Sequence, residues 1–267
     1  MHLLYKKEDK DFEIYRRKAG FVAPSLHAPV EIVHVSEGSI DFGVEKELYH
    51  LEAGDLGIVF PNQIHFYQEF SGKGGQVEFI LADPSLLGGF LQTLETNIAA
   101  VPVIRAAQVH PDVRYALQVL TAGGQAEAYE NVLHEAWMQI ILSRILPLLT
   151  LTPRSREEAN LVERAVSYIA DHYMEPVTLT SMAKDLYVNP FALSRIFAQS
   201  FHMNFNRYLN LTRLEYSRQL LEDTDRPVTD ICLDAGFGSQ RTFNRVFREE
   251  YHMTPAEFRK RNRMRTG

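Results

Sequence analysis

Apolar and polar positions change period along the chain. Up to about residue 82 the apolar residues come in short runs rich in β-branched and aromatic side chains: Val30 to Val35, Ser39 to Val44, Leu56 to Phe60 and Val77 to Leu81. Gly38, the Ala53-Gly54-Asp55 turn, Pro61-Asn62 and the stretch Ser71 to Gly75 punctuate them. Short strands spaced roughly ten residues apart predict a small β-barrel or sandwich. From about Pro111 the period becomes helical, with Val113, Leu117 and Leu120 on one face of a first helix. Val132, Leu133, Ala136, Ile140, Ile141 and Ile145 mark a second helix, and Gly123-Gly124 breaks the two. Their surplus of Leu and Ile exceeds what one small barrel needs as cover, so residues of about 111–150 are expected to join two chains; packing against the barrel is the plainer alternative. Thr150 to Glu157 reads as a linker, followed by a helix from about Glu158 to Tyr173.

The rest of the chain repeats itself. Residues 178–208 and 228–258 follow one pattern, and Arg195 to Met203 aligns with Arg245 to Met253 at an offset of 50. A fixed offset of this kind implies a duplicated unit. Each copy reads as a short helix, a tight turn and a second helix. In the first, Met182, Ala183 and Leu186 share a face, Asn189 caps the next helix, and Pro190 takes its first position, where a missing N–H costs nothing. Leu193, Ile196 and Phe197 then point inward. In the second, Ile231, Cys232 and Ala235 form the inner face, Gly236 permits the turn, Ser239 caps, and Phe243, Val246 and Phe247 are buried. Between the copies, Phe205 to Glu222 reads as one helix of 18 residues. At about 1.5 Å per residue it spans roughly 27 Å, close to the ~34 Å repeat of DNA.

The outward residues carry the chemistry. Phe191, Ser194 and Arg195 face out in the first copy, and Gln240, Arg241, Thr242, Asn244 and Arg245 in the second. In a major groove Arg can bridge guanine O6 and N7, Gln or Asn can pair adenine N6 and N7, and Thr or Phe can touch the thymine methyl. The region resembles the DNA-binding domain of the AraC/XylS family over about 100 residues. Ala183, the Leu193-Ser194-Arg195-Ile196-Phe197 run, Tyr208, Arg213, Leu220-Leu221, Ile231, Gly236-Phe237, Phe243, Arg245, Phe247, Pro255 and Phe258-Arg259 fall where that family has them. The resemblance implies a pair of helix-turn-helix units whose outward residues, as given above, read bases. His202 and His252 depart from it, standing where the family usually has Gly after each reading helix.

Net charge is −6, an unpromising figure for a DNA binder until the chain is divided. Residues 1–157 carry −7 and residues 158–267 carry +1, so the acid lies in the N-terminal part. Binding to phosphate then depends on basic residues sharing a face rather than on their number. The basic run Arg259 to Arg265 adds to that side. A length of 267 residues suits two domains, here 1–152 and 153–267. No apolar run reaches the ~18 residues of a membrane span, and the N-terminus has no apolar signal core, so a cytoplasmic protein is expected. The single cysteine, Cys232, fits that place and reads as a small core residue.

In the strand region, His27 and Glu31 stand four residues apart on one strand face, followed by Gly38, then Gly54-Asp55, Pro61 and His65. This spacing looks like the two cupin motifs, although Ser25 stands where metal-binding cupins place a first His. Three of four ligands leave a polar lining for a small effector as the preferred reading, built from His27, Glu31 and His65 with Tyr67 and Tyr15; no metal or other cofactor is assigned. The expected whole is α+β: a cupin-like barrel with a helical dimerisation segment, then an all-α domain with two helix-turn-helix units. It would act as a homodimeric transcription regulator that binds double-stranded DNA and answers to a small molecule. A sugar is one effector class known among relatives, and RNA polymerase is a further partner that the resemblance leaves open. The alternative is a metal-dependent cupin enzyme with an accessory helical domain. No nucleophile–base arrangement is visible, so no catalytic residue is assigned.

Overall fold

A computed structural model describes residues 11–19, 22–68, 75–122, 130–154 and 156–266. The expected Gly123-Gly124 break and most of the Ser71 to Gly75 turn lie outside them. The chain divides between Asn160 and Leu161 into two compact units.

In the first unit the strands are β1 (Phe12–Lys18), β2 (Val22–Ser25), β3 (Val30–Val44), β4 (Glu47–Glu52), β5 (Leu56–Val59), β6 (His65–Gln68) and β7 (Gly75–Ala82). Helix α1 (Leu91–Thr96), strands β8 (Asn97–Ala99) and β9 (Val103–Ile104), helices α2 (Pro111–Thr121) and α3 (Glu130–Ile145), and strand β10 (Leu151–Pro153) follow. All pairings among these strands are antiparallel. The two runs expected as separate strands on either side of Gly38 are one long strand, β3. Its first half pairs with β5 and β7, and its second half pairs with β4 and β6. The register against β7 slips between Val35 and Glu37, leaving Ser36 as the extra residue of a bulge. A bulge bends and twists its strand, which lets β3 pass from one layer of the barrel to the other.

Alternation along β3 and β7 then sorts the core. Val33, Val35, Val77, Phe79 and Leu81 pack inside the barrel with Phe42 and Tyr67. Ile32, Ile58 and Ile80 face the other way and pack with Val113 and Leu117 of α2 and with Met138, Ile141, Leu142 and Ile145 of α3. Part of the apolar surplus in 111–150 is therefore cover for the sheet. Tyr115 and Val119 of α2 and Val132 and Leu133 of α3 remain exposed. The expected linker begins as structure: β10 pairs with β8, and the Arg154 backbone N–H donates to the Thr96 carbonyl at 2.9 Å. The tie holds Arg154 to the sheet-rich unit.

The second unit is helical: the later turns of α4 (Arg156–His172), then α5 (Leu179–Asp185), α6 (Pro190–Gln199), α7 (Phe205–Asp223), α8 (Val228–Asp234), α9 (Gln240–Tyr251) and α10 (Pro255–Thr266). The starts follow local chemistry. Thr178 and Ser181 form a capping box on α5, Asn189 accepts from the Phe191 N–H at 2.8 Å, and Ser239 accepts from the Thr242 N–H at 3.2 Å. Leu193, Ile196 and Phe197 of α6 and Phe243, Val246 and Phe247 of α9 are buried, as the spacing predicts. His202 and His252 both adopt the left-handed region, at φ 52° and 55°. That conformation is why a glycine is usual there. Gly236 is also left-handed at φ 81°, and a Cβ on it would lie 2.6 Å from the Met174 carbonyl oxygen.

Two substitutions test this reading in opposite directions. Gly236→Ala should cost about 2 kcal/mol or more, since strain and a backbone clash add. His252→Gly should stabilise by about 0.5–1 kcal/mol by relieving the left-handed cost. Thermal unfolding followed by helical circular dichroism would show a fall and a rise in Tm.

Candidate nucleic-acid interface and sensor core

Position by position, exposed, half-buried and buried residues follow one order in 191–199 and in 241–249. The duplication is therefore one of surface as well as sequence: each second helix leaves the same face bare. Phe191 is 83% exposed, an unusual state for a side chain of that size. Ser194, Arg195, Gln240, Arg241, Asn244 and Arg245 are exposed too. Thr242 differs, being half-buried with its hydroxyl 3.0 Å from the Ser239 hydroxyl in the cap of α9. Arg245 is paired with Glu249 one turn on, at 2.7 Å. Tyr187, 94% exposed in the turn between α5 and α6, stands near the start of α6 in sequence and lies outside the set of outward residues given above. A large aromatic in a helix-turn-helix turn, here left-handed at φ 55°, is the signal that could have found it.

Within the helical unit, the two helix-turn-helix units are joined by α7, whose 19 residues span about 28 Å. Arg213, in its middle, is buried and donates to the Tyr173 carbonyl at 2.7 Å and the Glu175 carbonyl at 2.8 Å. Its guanidinium also lies 5.9 Å from the ring centre of Phe237, beside the second turn. Arg207 near the start of α7 pairs with Glu250 of α9 at 2.6 Å.

In the first unit the structure brings together His27, Glu31, His65 and Tyr67, all at most 4% exposed. Tyr15 joins them indirectly, stacking at 4.9 Å on Phe79, which meets Tyr67 edge-on at 5.0 Å. Nδ1 of His27 lies 3.0 Å from the Pro29 carbonyl and Nδ1 of His65 lies 3.0 Å from the Gln63 carbonyl. A carbonyl only accepts, so each Nδ1 carries the proton and each Nε2 is left facing inward. Nε2 of His27 is 3.3 Å from one Glu31 oxygen, and Nε2 of His65 is 3.1 Å from the Ser25 hydroxyl and 3.7 Å from the other Glu31 oxygen. The Tyr67 hydroxyl donates to Glu31. Burial works to raise the Glu31 carboxyl, but the neighbouring imidazoles and the Tyr67 hydroxyl outweigh it and bring the pKa down to about 2. Burial drives His65 the other way, down to about 4, so it is neutral at pH 7. The ligand atoms of His27, Glu31 and His65 lie within 4.8 Å of one another, a set that could hold a divalent first-row ion. Asp55, of the Gly54-Asp55 motif, serves the fold: it accepts from the backbone N–H groups of Ala106 at 2.8 Å and Glu52 at 3.1 Å.

A family model described as "Helix-turn-helix domain" matches residues 182–261. The regulatory protein SoxS of Salmonella typhimurium is 33% identical over 101 residues, which are 38% of this chain and 94% of that protein. The chain belongs to the AraC/XylS family. An uncharacterised helix-turn-helix transcriptional regulator of Escherichia coli, YijO, is 36% identical over 106 residues, 40% of this chain and 37% of that one. The family model's match lies within the helical unit. Across 94% of this chain and 98% of the other, the fold also resembles that of ToxT from Vibrio cholerae, with a TM-score of 0.59 and 14% identity. As an AraC/XylS regulator the chain is a DNA-binding transcription regulator with a sheet-rich N-terminal region and a helical C-terminal region. The relatives named are regulators, not enzymes. No helix among the described residues is long and apolar enough to cross a membrane.

The buried cluster carries a pH signature. A histidine held at about 4 in the folded chain against 6.5 when free takes up protons preferentially on unfolding, so it lowers stability as pH falls from about 6.5 towards 4. Glu31, held at about 2 against 4.5, acts in the same direction further down. The sheet-rich unit should therefore lose stability steadily below pH 6.5, and His65→Gln should flatten the slope between pH 6.5 and 4. Thermal unfolding at stepped pH, read by tyrosine and tryptophan fluorescence, checks both.

Proposed function

We propose that the chain is a homodimeric regulator in which a small effector, held by the N-terminal unit, sets how two reading helices per chain engage DNA. The observation that carries this reading is the matched bare face of α6 and α9. Phe191, Ser194 and Arg195 contact one stretch of bases, with Tyr187 beside them on the backbone. Gln240, Arg241, Asn244 and Arg245 read a second stretch through hydrogen bonds, and Thr242 offers its methyl group while its hydroxyl stays in the cap. The sheet-rich unit, read from the sequence as residues 1–152, acts as the effector and dimerisation domain, and the helical unit, read as residues 153–267, as the DNA-binding domain. The exposed Tyr115, Val119, Val132 and Leu133 of α2 and α3 are the apolar positions left for joining two chains.

The polar cluster of His27, Glu31, His65 and Tyr67, with Tyr15 behind Phe79, is the group in the barrel interior that an effector would address. Support for a ligand in this fold comes from ToxT, which has been solved with an unsaturated fatty acid bound. A sugar remains a candidate class for the present chain, and RNA polymerase a candidate partner. An effector acts only through differential affinity for two states of the protein, so its presence must change DNA affinity or half-site spacing.

Binding to a duplex selected by the protein from a random pool should weaken steeply with salt, by about 0.9 log units per log unit of salt for each phosphate contacted. Arg245→Ala should cost about 1–3 kcal/mol and relax preference at one base pair. Phe191→Ala should cost less and act in the other stretch. Fluorescence anisotropy across a salt series measures all three; absence of any sequence preference together with an unaffected Arg245→Ala protein would overturn the reading.

A further inference from the structure

Glu249 puts an acid on the face of α9 that is read as meeting DNA. It lines one surface hollow with Gln240, Asn244 and Arg245, three of the outward residues of that helix. Two elementary effects oppose a carboxylate there. Glu249 and Glu250 lie in the last turn of α9, where unpaired carbonyls make a helix end negative and acids are disfavoured. A negative charge beside the readers also repels the DNA backbone. At the corresponding place in the first copy, 50 residues earlier, α6 carries the neutral Gln199 one turn after Arg195. The duplicated pattern itself therefore does not call for the acid.

Its contacts show what offsets these costs. Oε1 of Glu249 accepts from Nη1 of Arg245 at 2.7 Å, and Oε2 lies 3.8 Å from Nη1 of Arg207. Arg207 also donates through Nη2 to Glu250 at 2.6 Å. Its backbone is fixed in the first turn of α7, where its N–H donates to the Asn204 side chain at 2.9 Å. Arg207 and Glu250 are partly shielded, whereas the Arg245 side chain is 59% exposed. The Glu249 carboxylate thus stands between a cation anchored in α7 and a cation open to solvent. An isolated exposed pair at this spacing is weak, but charges joined in a network hold their geometry better. Nη1 of Arg245 is committed to Glu249, which leaves its Nε and Nη2 edge for two parallel bonds to guanine O6 and N7.

We propose that Glu249 is a positioning residue for base readout: anchored by Arg207, it holds Arg245 with one edge free for guanine, sharpening discrimination at one base pair while weakening affinity for DNA in general. The assignment rests on the reading of Arg245 as a base contact. A mobile arginine can settle on a phosphate or on a base. One held by a carboxylate has lost part of its rotamer freedom before binding, and its charge is already partly neutralised, so a phosphate gains less from it. The first unit, with Gln199 in this place, lacks the device.

Fluorescence anisotropy with the full chain and three duplexes of one length tests it. The first is a duplex enriched by the protein from a random pool; the second has the base pair whose preference Arg245→Ala erases replaced by another; the third is unrelated in sequence. Guanine is expected at that base pair. Glu249→Gln, which keeps the side chain's size and removes its charge, should lower the ratio of Kd values between replaced and selected duplexes about three- to tenfold. It should also bind the unrelated duplex more tightly. Added to Arg245→Ala, it should leave the ratio where that variant put it, a result that loss of charge alone would not give. Arg207→Gln should lower the ratio in the same direction by less. A ratio unchanged or raised by Glu249→Gln, one lowered equally in the absence of Arg245, or weaker binding of the unrelated duplex overturns the proposal and leaves Arg245 a reader. A base other than guanine at that pair overturns it as well. An Arg245→Ala protein with full base preference overturns the reading of Arg245 and this proposal together.

Discussion

The guanidinium of Arg213 keeps its charge at any ordinary pH, so burying it in the middle of α7 obliges the surrounding backbone to supply acceptors. The carbonyls of Tyr173 and Glu175, at and just beyond the end of α4, do so. They lie where a helix leaves its last carbonyls unpaired and its dipole is negative, which makes the pairing favourable twice over. The ring of Phe237 closes the remaining side, and Gly236 has no Cβ because the same stretch of α4 backbone passes against it. One side chain therefore fixes α7 against α4 and against the turn of the second helix-turn-helix unit. Removing one partner of a buried, hydrogen-bonded charge typically costs about 3–5 kcal/mol. The placement of α7 against the end of α4 and the second helix-turn-helix unit depends on this interaction.

The reading helices were legible because their determinants are local. Asn189 and Ser239 sit immediately before the helices they cap, and the buried Phe, Ile and Val positions recur at helical spacing within a dozen residues. The barrel was legible in class more than in detail. β4, with its run of Glu, Tyr, His and Glu, is half exposed and polar, and β1 carries Arg16, Arg17 and Lys18 in a strand stabilised by partners far along the chain. Nothing within either segment announces a strand. Gly38 reads as a break between strands, whereas the bulge at Ser36 keeps β3 continuous; the choice is made by β7, 40 residues away.

The same distinction between local and remote causes applies to the sites. His27, Glu31, His65 and Tyr67 converge as their spacing suggested, since Glu31 shares a strand face with the interior core. Their protonation was not legible, because it depends on the carbonyls of Pro29 and Gln63 that hold the two rings. Arg245 and Glu249 lie four residues apart, a spacing that pairs them on a helix, so an outward-facing arginine there is also held by its own helix. One helix, α7, joins the two helix-turn-helix units, and another, α2, covers the sheet with Val113 and Leu117 while leaving Tyr115 and Val119 exposed.

The central claim is that α7 holds α6 and α9 one turn of DNA apart on one side of the duplex. Base preference measured across a random duplex pool enriched by the protein tests it most directly. Two short blocks of preference with centres about 10–10.5 base pairs apart within the footprint of one chain are predicted, with Arg245→Ala erasing preference in one block only. A single block, or two blocks whose separation varies freely among enriched sequences, would contradict the account.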